Sequence, residues 1–292
     1  MKTARDFDQG LLDLFDRYVH GIIDRRGFLD GAARFAVGGV TAAMLLDALA
    51  PRFAEAQQVP KDDKRLQTES VEFDSPAGTG KAKGYLVRPT GKKKLPAVLV
   101  VHENRGLNPH IEDIARRMAL EGFVAFAPDA LAPLGGYPGD EDKARELFGK
   151  LDQTKTREDF VAAVGYLKKR PDVTGKVGVV GFCYGGGIAN MLATRVPDLG
   201  AAVPFYGSQP KPEDVPKIKA PLLIHYAEND ERINAGIPAY QAALDAAKVK
   251  YQLWKYPGTQ HGFNNDTTPR YDKAAAALAW KRTIEFFKKN LG

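Results

Sequence analysis

The apolar positions of this chain change their period near residue 69. Between residues 7 and 23, Phe7, Leu11, Leu12, Leu14, Phe15, Val19, Ile22 and Ile23 recur at helical spacing, which predicts an amphipathic helix. A stretch rich in small and apolar residues follows from Ala32 to Ala50 and stops at Pro51. From Glu69 onward, short apolar runs alternate with helical patterns. Strands are predicted at 71–73, 84–88, 96–101, 123–127, 177–180, 201–205, 221–226 and 251–256. Helices are predicted at 111–121, 140–151, 156–169, 185–195, 234–247 and 270–289. The run 96–101 is apolar at successive positions, as in a strand buried on both faces. This succession predicts an α/β fold with a mostly parallel central sheet, helices on both faces, and an N-terminal helical leader. In such sheets ligands bind beyond the carboxyl ends of the strands, so functional residues are expected just after them.

Composition narrows the class. The chain has 292 residues, 44% hydrophobic and 27% charged, enough for one large core and without the bias of a disordered chain. Its formal net charge is +6, but the longest basic run, Lys92–Lys94, reads as a solvated turn. No nucleic-acid motif accompanies it, so no nucleic-acid partner is expected. Cys183 is the single cysteine, which excludes an intrachain disulfide and a multi-cysteine zinc site. No phosphate-cradling loop or metal-ligand spacing is present, and neither cofactor nor metal is expected.

The segment Gly181-Phe-Cys183-Tyr-Gly185 joins a predicted strand to a predicted helix. This Gly-x-Cys-x-Gly spacing is the nucleophile-elbow pattern with sulfur in place of serine oxygen. The turn strains the nucleophile's backbone, and a Cβ two positions away on either side would collide with it. At a helix N-terminus the thiolate is favoured, and the N–H of Tyr184 is the expected first oxyanion donor. An elbow needs an acid and a histidine, in that order along the chain. Asp230 follows the strand at 221–226, and His261 lies in the loop after the last strand. Cys183, Asp230 and His261 therefore form the expected triad, with His261 as base and Asp230 orienting it. The loop His102-Glu103-Asn104-Arg105-Gly106 enters from the other side and should carry the second oxyanion N–H. Glu103 beside a thiolate would raise the thiol pKa and restrain the nucleophile, with a surface salt bridge as the alternative. His102 is expected to shape this loop, His225 to pack inside a strand, and His20 to lie in the leader.

At these residues the sequence resembles the dienelactone hydrolase (carboxymethylenebutenolidase) family of α/β-hydrolases. The resemblance spans about residues 69–291 and rests on 181–186, His102-Glu103, Pro128-Asp129, Asp230 and His261-Gly-Phe263. It implies that Cys183 attacks a lactone or ester carbonyl and that water hydrolyses the acyl-enzyme. It also implies that Glu103 partners the nucleophile in the resting enzyme. The family's two carboxylate-binding arginines have no counterpart, since those regions read Asp129-Ala-Leu-Ala and Phe263-Asn-Asn. Arg105 and Phe263 are the candidates for substrate contact, and Arg270 is a further candidate for the missing positive charge. The expected partner is a small ester or lactone. A broad esterase or thioesterase, and a non-catalytic binding protein that kept the fold, are the alternatives.

Residues 1–56 are expected to form a separate unit ahead of a hydrolase domain at 57–292. Arg25-Arg26-Gly-Phe-Leu, a moderately apolar stretch and Ala54-Glu-Ala56 resemble a twin-arginine export signal, which implies a periplasmic protein. Arg34 and Asp47 interrupt the apolar stretch, which argues against a permanent membrane span. The alternative is a cytoplasmic protein with an uncleaved pair of amphipathic helices over 8–50, packed on the enzyme or on a partner. Oligomeric state is not legible.

Overall fold

The structure is a computed structural model that describes residues 2–91 and 94–292; Lys92 and Lys93 of the basic run lie outside the described residues. Four helices come first: α1 (Gln9–Val19), α2 (Arg25–Ala32), α3 (Ala42–Leu49) and α4 (Phe53–Ala56). Strands β1 (Leu66–Ser75), β2 (Gly80–Pro89) and β3 (Leu95–Val101) follow, then α5 (Pro109–Leu120), β4 (Val124–Pro128), α6 (Glu141–Phe148) and α7 (Gln153–Lys169). The second half holds β5 (Val173–Phe182), α8 (Tyr184–Arg195), β6 (Ala201–Phe205), β7 (Leu222–Asn229), α9 (Glu231–Asn234), α10 (Ile237–Ala246), β8 (Tyr251–Gln260) and α11 (Lys273–Leu291).

The eight strands form one sheet in the order β1-β2-β4-β3-β5-β6-β7-β8. β1 and β2 are antiparallel to their neighbours, and the ladders from β4 through β8 are parallel. The α/β expectation therefore holds, with helices on both faces. Alternation along β3 assigns the faces. Val98 and Val100 pack with Ile111, Ile114 and Met118 of α5 and Phe287 of α11. Leu99 and Val101 pack with Phe160 and Leu167 of α7 and Ile188 and Leu192 of α8. All of these side chains are buried, so the centre of the sheet is rigid and its carboxyl edge makes a firm platform.

Two differences from the sequence expectation have clear causes. β1 and β2 each run to ten residues, longer than predicted, because their solvent face is polar and gives a weak apolar signal. The helix expected over 234–247 is α10, which begins at Ile237 with Pro238 in its first turn, and the single turn α9 ahead of Gly236 was not expected.

The N-terminal arm holds three helices over residues 8–50 rather than two. Asp8, Asp24 and Thr41 cap α1, α2 and α3 by accepting the N–H of Gly10, Gly27 and Met44. Leu11, Leu12, Phe15 and Tyr18 of α1 bury against Phe28 and Ala32 of α2 and Leu46 and Leu49 of α3, a small core separate from the two beside the sheet. Arg25 and Arg26 open α2, and Arg25 pairs with Asp142 at 3.0 Å. Ala54-Glu55-Ala56 lies in the single turn of α4. Beyond it, Val59 is tied to the body by its N–H to Asp113 at 2.8 Å and its carbonyl to Arg116 at 2.8 Å. Among the described residues no helix is long and apolar enough to cross a membrane.

Candidate active site

β3, β5, β7 and β8 stop at the same edge of the sheet, and the residues that follow them converge there. Cys183 is the first residue after β5 and the N-cap of α8, at φ 55° and ψ −112°. This left-handed backbone is costly for a residue with a Cβ, and its neighbours fix it. A Cβ on Gly181 would lie 1.9 Å from the carbonyl oxygen of Gly185, and one on Gly185 would lie 2.3 Å from that of Val101. Only glycine allows the strand, turn and helix to cross this closely. As the first residue of α8, Tyr184 keeps a backbone N–H without an intrahelical acceptor, at the positive end of the helix.

Asp230 caps α9 and brings its Oδ2 to 2.6 Å from His261 Nδ1. With Nδ1–H committed to Asp230, the Nε2 of His261 is the free nitrogen. It is buried without a hydrogen-bond partner, within 4.8 Å of the sulfur of Cys183. Burial would push the His261 imidazole down, yet Asp230, the Cys183 sulfur and Asp16 hold it well above its ordinary range.

The hydrogen bond at the sulfur is made by a residue that sequence reasoning assigned to the leader. His20, the C-cap of α1, places Nε2 3.2 Å from Cys183 Sγ. Its Nδ1 faces the Asp16 carboxylate at 3.2 Å and the Asp16 carbonyl at 2.8 Å, and its ring meets that of His261 edge-on at 4.7 Å. Burial alone would raise the Cys183 thiol, but His261 and His20 outweigh it and bring it down to about 6. Asp16 is held far below the carboxylate range against its burial by His20, His261 and Arg270. The ligand atoms of His20, Cys183 and His261 all lie within 4.8 Å of one another. They are the donors that could hold a soft cation, but Arg232 Nη2 stands 3.0 Å from His20 Nε2 and disfavours one. The set is an acid–base cluster.

The other expected site residues fall around this centre. Glu103 accepts a hydrogen bond from Asn265 Nδ2 at 2.8 Å, and the sulfur takes its contact from His20 instead. Asn104 and Arg105 both donate to the carbonyl of Val19, at 2.9 and 3.1 Å, and so bind the end of α1. Arg270 reaches Asp16 at 3.4 Å and lies over the Phe15 ring. Phe263, expected at the substrate, is fully buried against Tyr206 and Tyr256 and forms part of the floor. His102 accepts the N–H of Ala130 at Nε2, so its neutral ring carries the proton on Nδ1 and donates to the Glu103 carbonyl, tying the loop in place. His225 lies between Tyr256 and Thr283, and burial pushes it down to about 3, as a packed neutral ring requires.

Two cavities flank the arm. One of about 1130 Å³ lies between α1 and the loops after β7 and β8, and reaches Asp230, His261 and Arg270. The other, of about 160 Å³, lies beneath α1 and α3 beside Glu103, Asn104 and Arg105. Cys183 lines neither, and it is 9% exposed under His20. Sequence reasoning also missed Tyr206, whose backbone has φ 37° and whose buried hydroxyl has no partner, its ring 5.0 Å from that of His261. The signal for His20 was present in Asp16-x-x-x-His20, an i,i+4 pair beside the apolar face of α1.

Known proteins share this arrangement of elements. The dienelactone hydrolase family profile matches residues 82–291, and a YqhI-like profile matches residues 1–37. The chain is 52% identical over 116 residues to a hydrolase fragment, YghX, of Escherichia coli K12, covering 39% of this chain and 99% of that one. It is 34% identical over 247 residues to a carboxymethylenebutenolidase of Saccharolobus solfataricus, covering 72% and 94%. A dienelactone hydrolase structure from Klebsiella pneumoniae superposes with a TM-score of 0.66 at 27% identity, covering 76% of this chain and 99% of that one. Each of the three carries its name provisionally. The chain belongs to the dienelactone hydrolase family, and it is a carboxylic ester hydrolase with the α/β-hydrolase fold.

Proposed function

We propose that the protein hydrolyses an ester or lactone of a small molecule through a Cys183–His261–Asp230 triad and an acyl-enzyme. The observation that carries this reading is the 2.6 Å Asp230–His261 contact, which frees His261 Nε2 beside a sulfur held at a strained elbow. The Cys183 thiolate attacks the carbonyl carbon, a C–S bond forms, and the carbonyl electron pair moves to oxygen. That oxyanion meets the N–H of Tyr184 and a second donor from the 102–106 loop. Collapse expels the alkoxide, which takes a proton from the His261 imidazolium. His261 then takes a proton from water, the water oxygen attacks the thioester, and the thiolate leaves. Asp230 holds the His261 ring in the tautomer that both steps need.

A broad esterase or thioesterase would use the same residues. Rates on a dienelactone, p-nitrophenyl acetate and an acyl-thioester separate these readings by substrate. The decisive variant is Cys183→Ala in the full chain. Loss of turnover on every substrate, with no acyl adduct by intact mass, is the expected result; retained turnover removes Cys183 as nucleophile.

A further inference from the structure

We propose that His20 of the N-terminal arm is a working part of this active site: its Nε2–H hydrogen-bonds the Cys183 sulfur and stabilises the thiolate, with Asp16 holding the ring from behind. The proposal rests on Cys183 being the nucleophile and adds a second imidazole to it.

The geometry is that of the triad repeated from the opposite side. Asp230 faces His261 Nδ1, and Asp16 faces His20 Nδ1. Both groups near His20 Nδ1, the Asp16 carboxylate and carbonyl, are acceptors, so that nitrogen carries a proton. The direct contact to sulfur comes from His20 at 3.2 Å, while His261 Nε2 has no partner. The ring is held by more than its own helix. Val19, its neighbour, is gripped by Asn104 and Arg105, and Arg145 donates to the Tyr18 carbonyl at 3.0 Å. These donors satisfy the last carbonyls of α1 and fix its C-terminal turn over the elbow. Gln9 and Gln260 bond reciprocally at 3.1 and 2.7 Å and fix the other end.

The charged groups around His20 act in opposite senses. Burial opposes its protonated form, as does His261, but the Cys183 sulfur and Asp16 outweigh both and hold it above its ordinary range. Arg232 also opposes the protonated form: its Nη2 lies 3.0 Å from the same Nε2 and can only donate to it, which needs the neutral ring, whereas the Nε2–H to sulfur is that of the imidazolium. Arg270 and Arg232 act through Asp16, at 3.4 and 3.8 Å. An export route that removed residues 1–56 would take this imidazole away, so the proposal requires the arm on the working enzyme.

The test is the pH dependence of Cys183 alkylation by iodoacetamide in the full chain. His20→Gln is expected to move the midpoint up by about one unit and slow alkylation at pH 6 about fivefold. Asp16→Asn moves it in the same direction, and Arg232→Gln moves it down. Free imidazole added to His20→Ala restores the rate, which a purely structural contact would not allow. Unchanged midpoints in His20→Gln and Asp16→Asn, with Cys183 still labelled, overturn the role of His20 and leave the nucleophile reading standing. Failure of the wild-type thiol to label at any pH overturns the nucleophile reading itself. Intact mass of the protein from its native host is expected to include residues 1–56; a fully active species without them overturns the proposal.

Discussion

Cys183 illustrates how single residues acquire chemistry from their surroundings. Burial by itself makes a thiol harder to ionise, and two imidazoles reverse that. A thiol brought down to about 6 is thiolate above that pH and neutral below it. Alkylation of the wild-type enzyme should therefore be near its maximum at pH 7 and fall tenfold per unit below about 6, rather than per unit below the ordinary thiol range near 8.5. Stopped assays across pH 4–9 check this. Removing the sulfur in Cys183→Ala should lower kcat by about 10⁴-fold or more, the scale seen when a triad member is lost. Cys183, Asp230 and His261 were legible because each follows a predicted strand, so a local pattern placed all three on one edge. His20 and Asp16 were not, because nothing near them in sequence says which surface α1 will cover; Tyr206 does follow a predicted strand, but no motif marks it. Glu103 was assigned to the sulfur by the same local logic, and the side chain that bonds it, Asn265, is 162 residues away.

The elbow and the arm are the elements that matter for the site. In the elbow, Gly181→Ala places a Cβ 1.9 Å from a backbone oxygen, which no rotamer change relieves. We expect it to cost about 1–3 kcal/mol of stability or more and most of the activity, measurable by denaturant melts and kcat. In the arm, Arg105 and Arg145 clasp the carbonyl end of α1 through neutral acceptors in partly buried positions. Arg145→Ala should leave the sheet intact, with an unchanged midpoint of unfolding for the body. It should also speed proteolysis within residues 20–40 and raise the alkylation rate of Cys183, as a lid loosened at its edge would. The strands at the sheet centre were legible because they are apolar on both faces. The outer strands and the short α9 were less so, since a polar face and a single helical turn carry weaker signals.

At the scale of the whole molecule, the sheet is stabilised from both faces and the arm has its own small core, so acid should act on them differently. His225 sits neutral between two layers with its pKa down near 3. The unfolded chain binds that proton below about 6.5, the folded chain only near 3. Its contribution to stability is therefore complete above about 6.5 and is lost progressively as pH falls toward 3. Thermal melts of wild type and His225→Gln between pH 7 and 4 should converge as the pH drops.

That α1 precedes every strand in chain order has a consequence for synthesis. The ribosome makes α1 before any strand exists, yet His20, Gln9 and Asp16 find their partners 163, 251 and 254 residues downstream. These contacts of α1 therefore form late, since loop closure over such spans is slow compared with local folding. Until Gln260 and Arg270 are made, Gln9 and Asp16 lack these partners. The cover over the elbow is complete only when residues far apart along the chain have met.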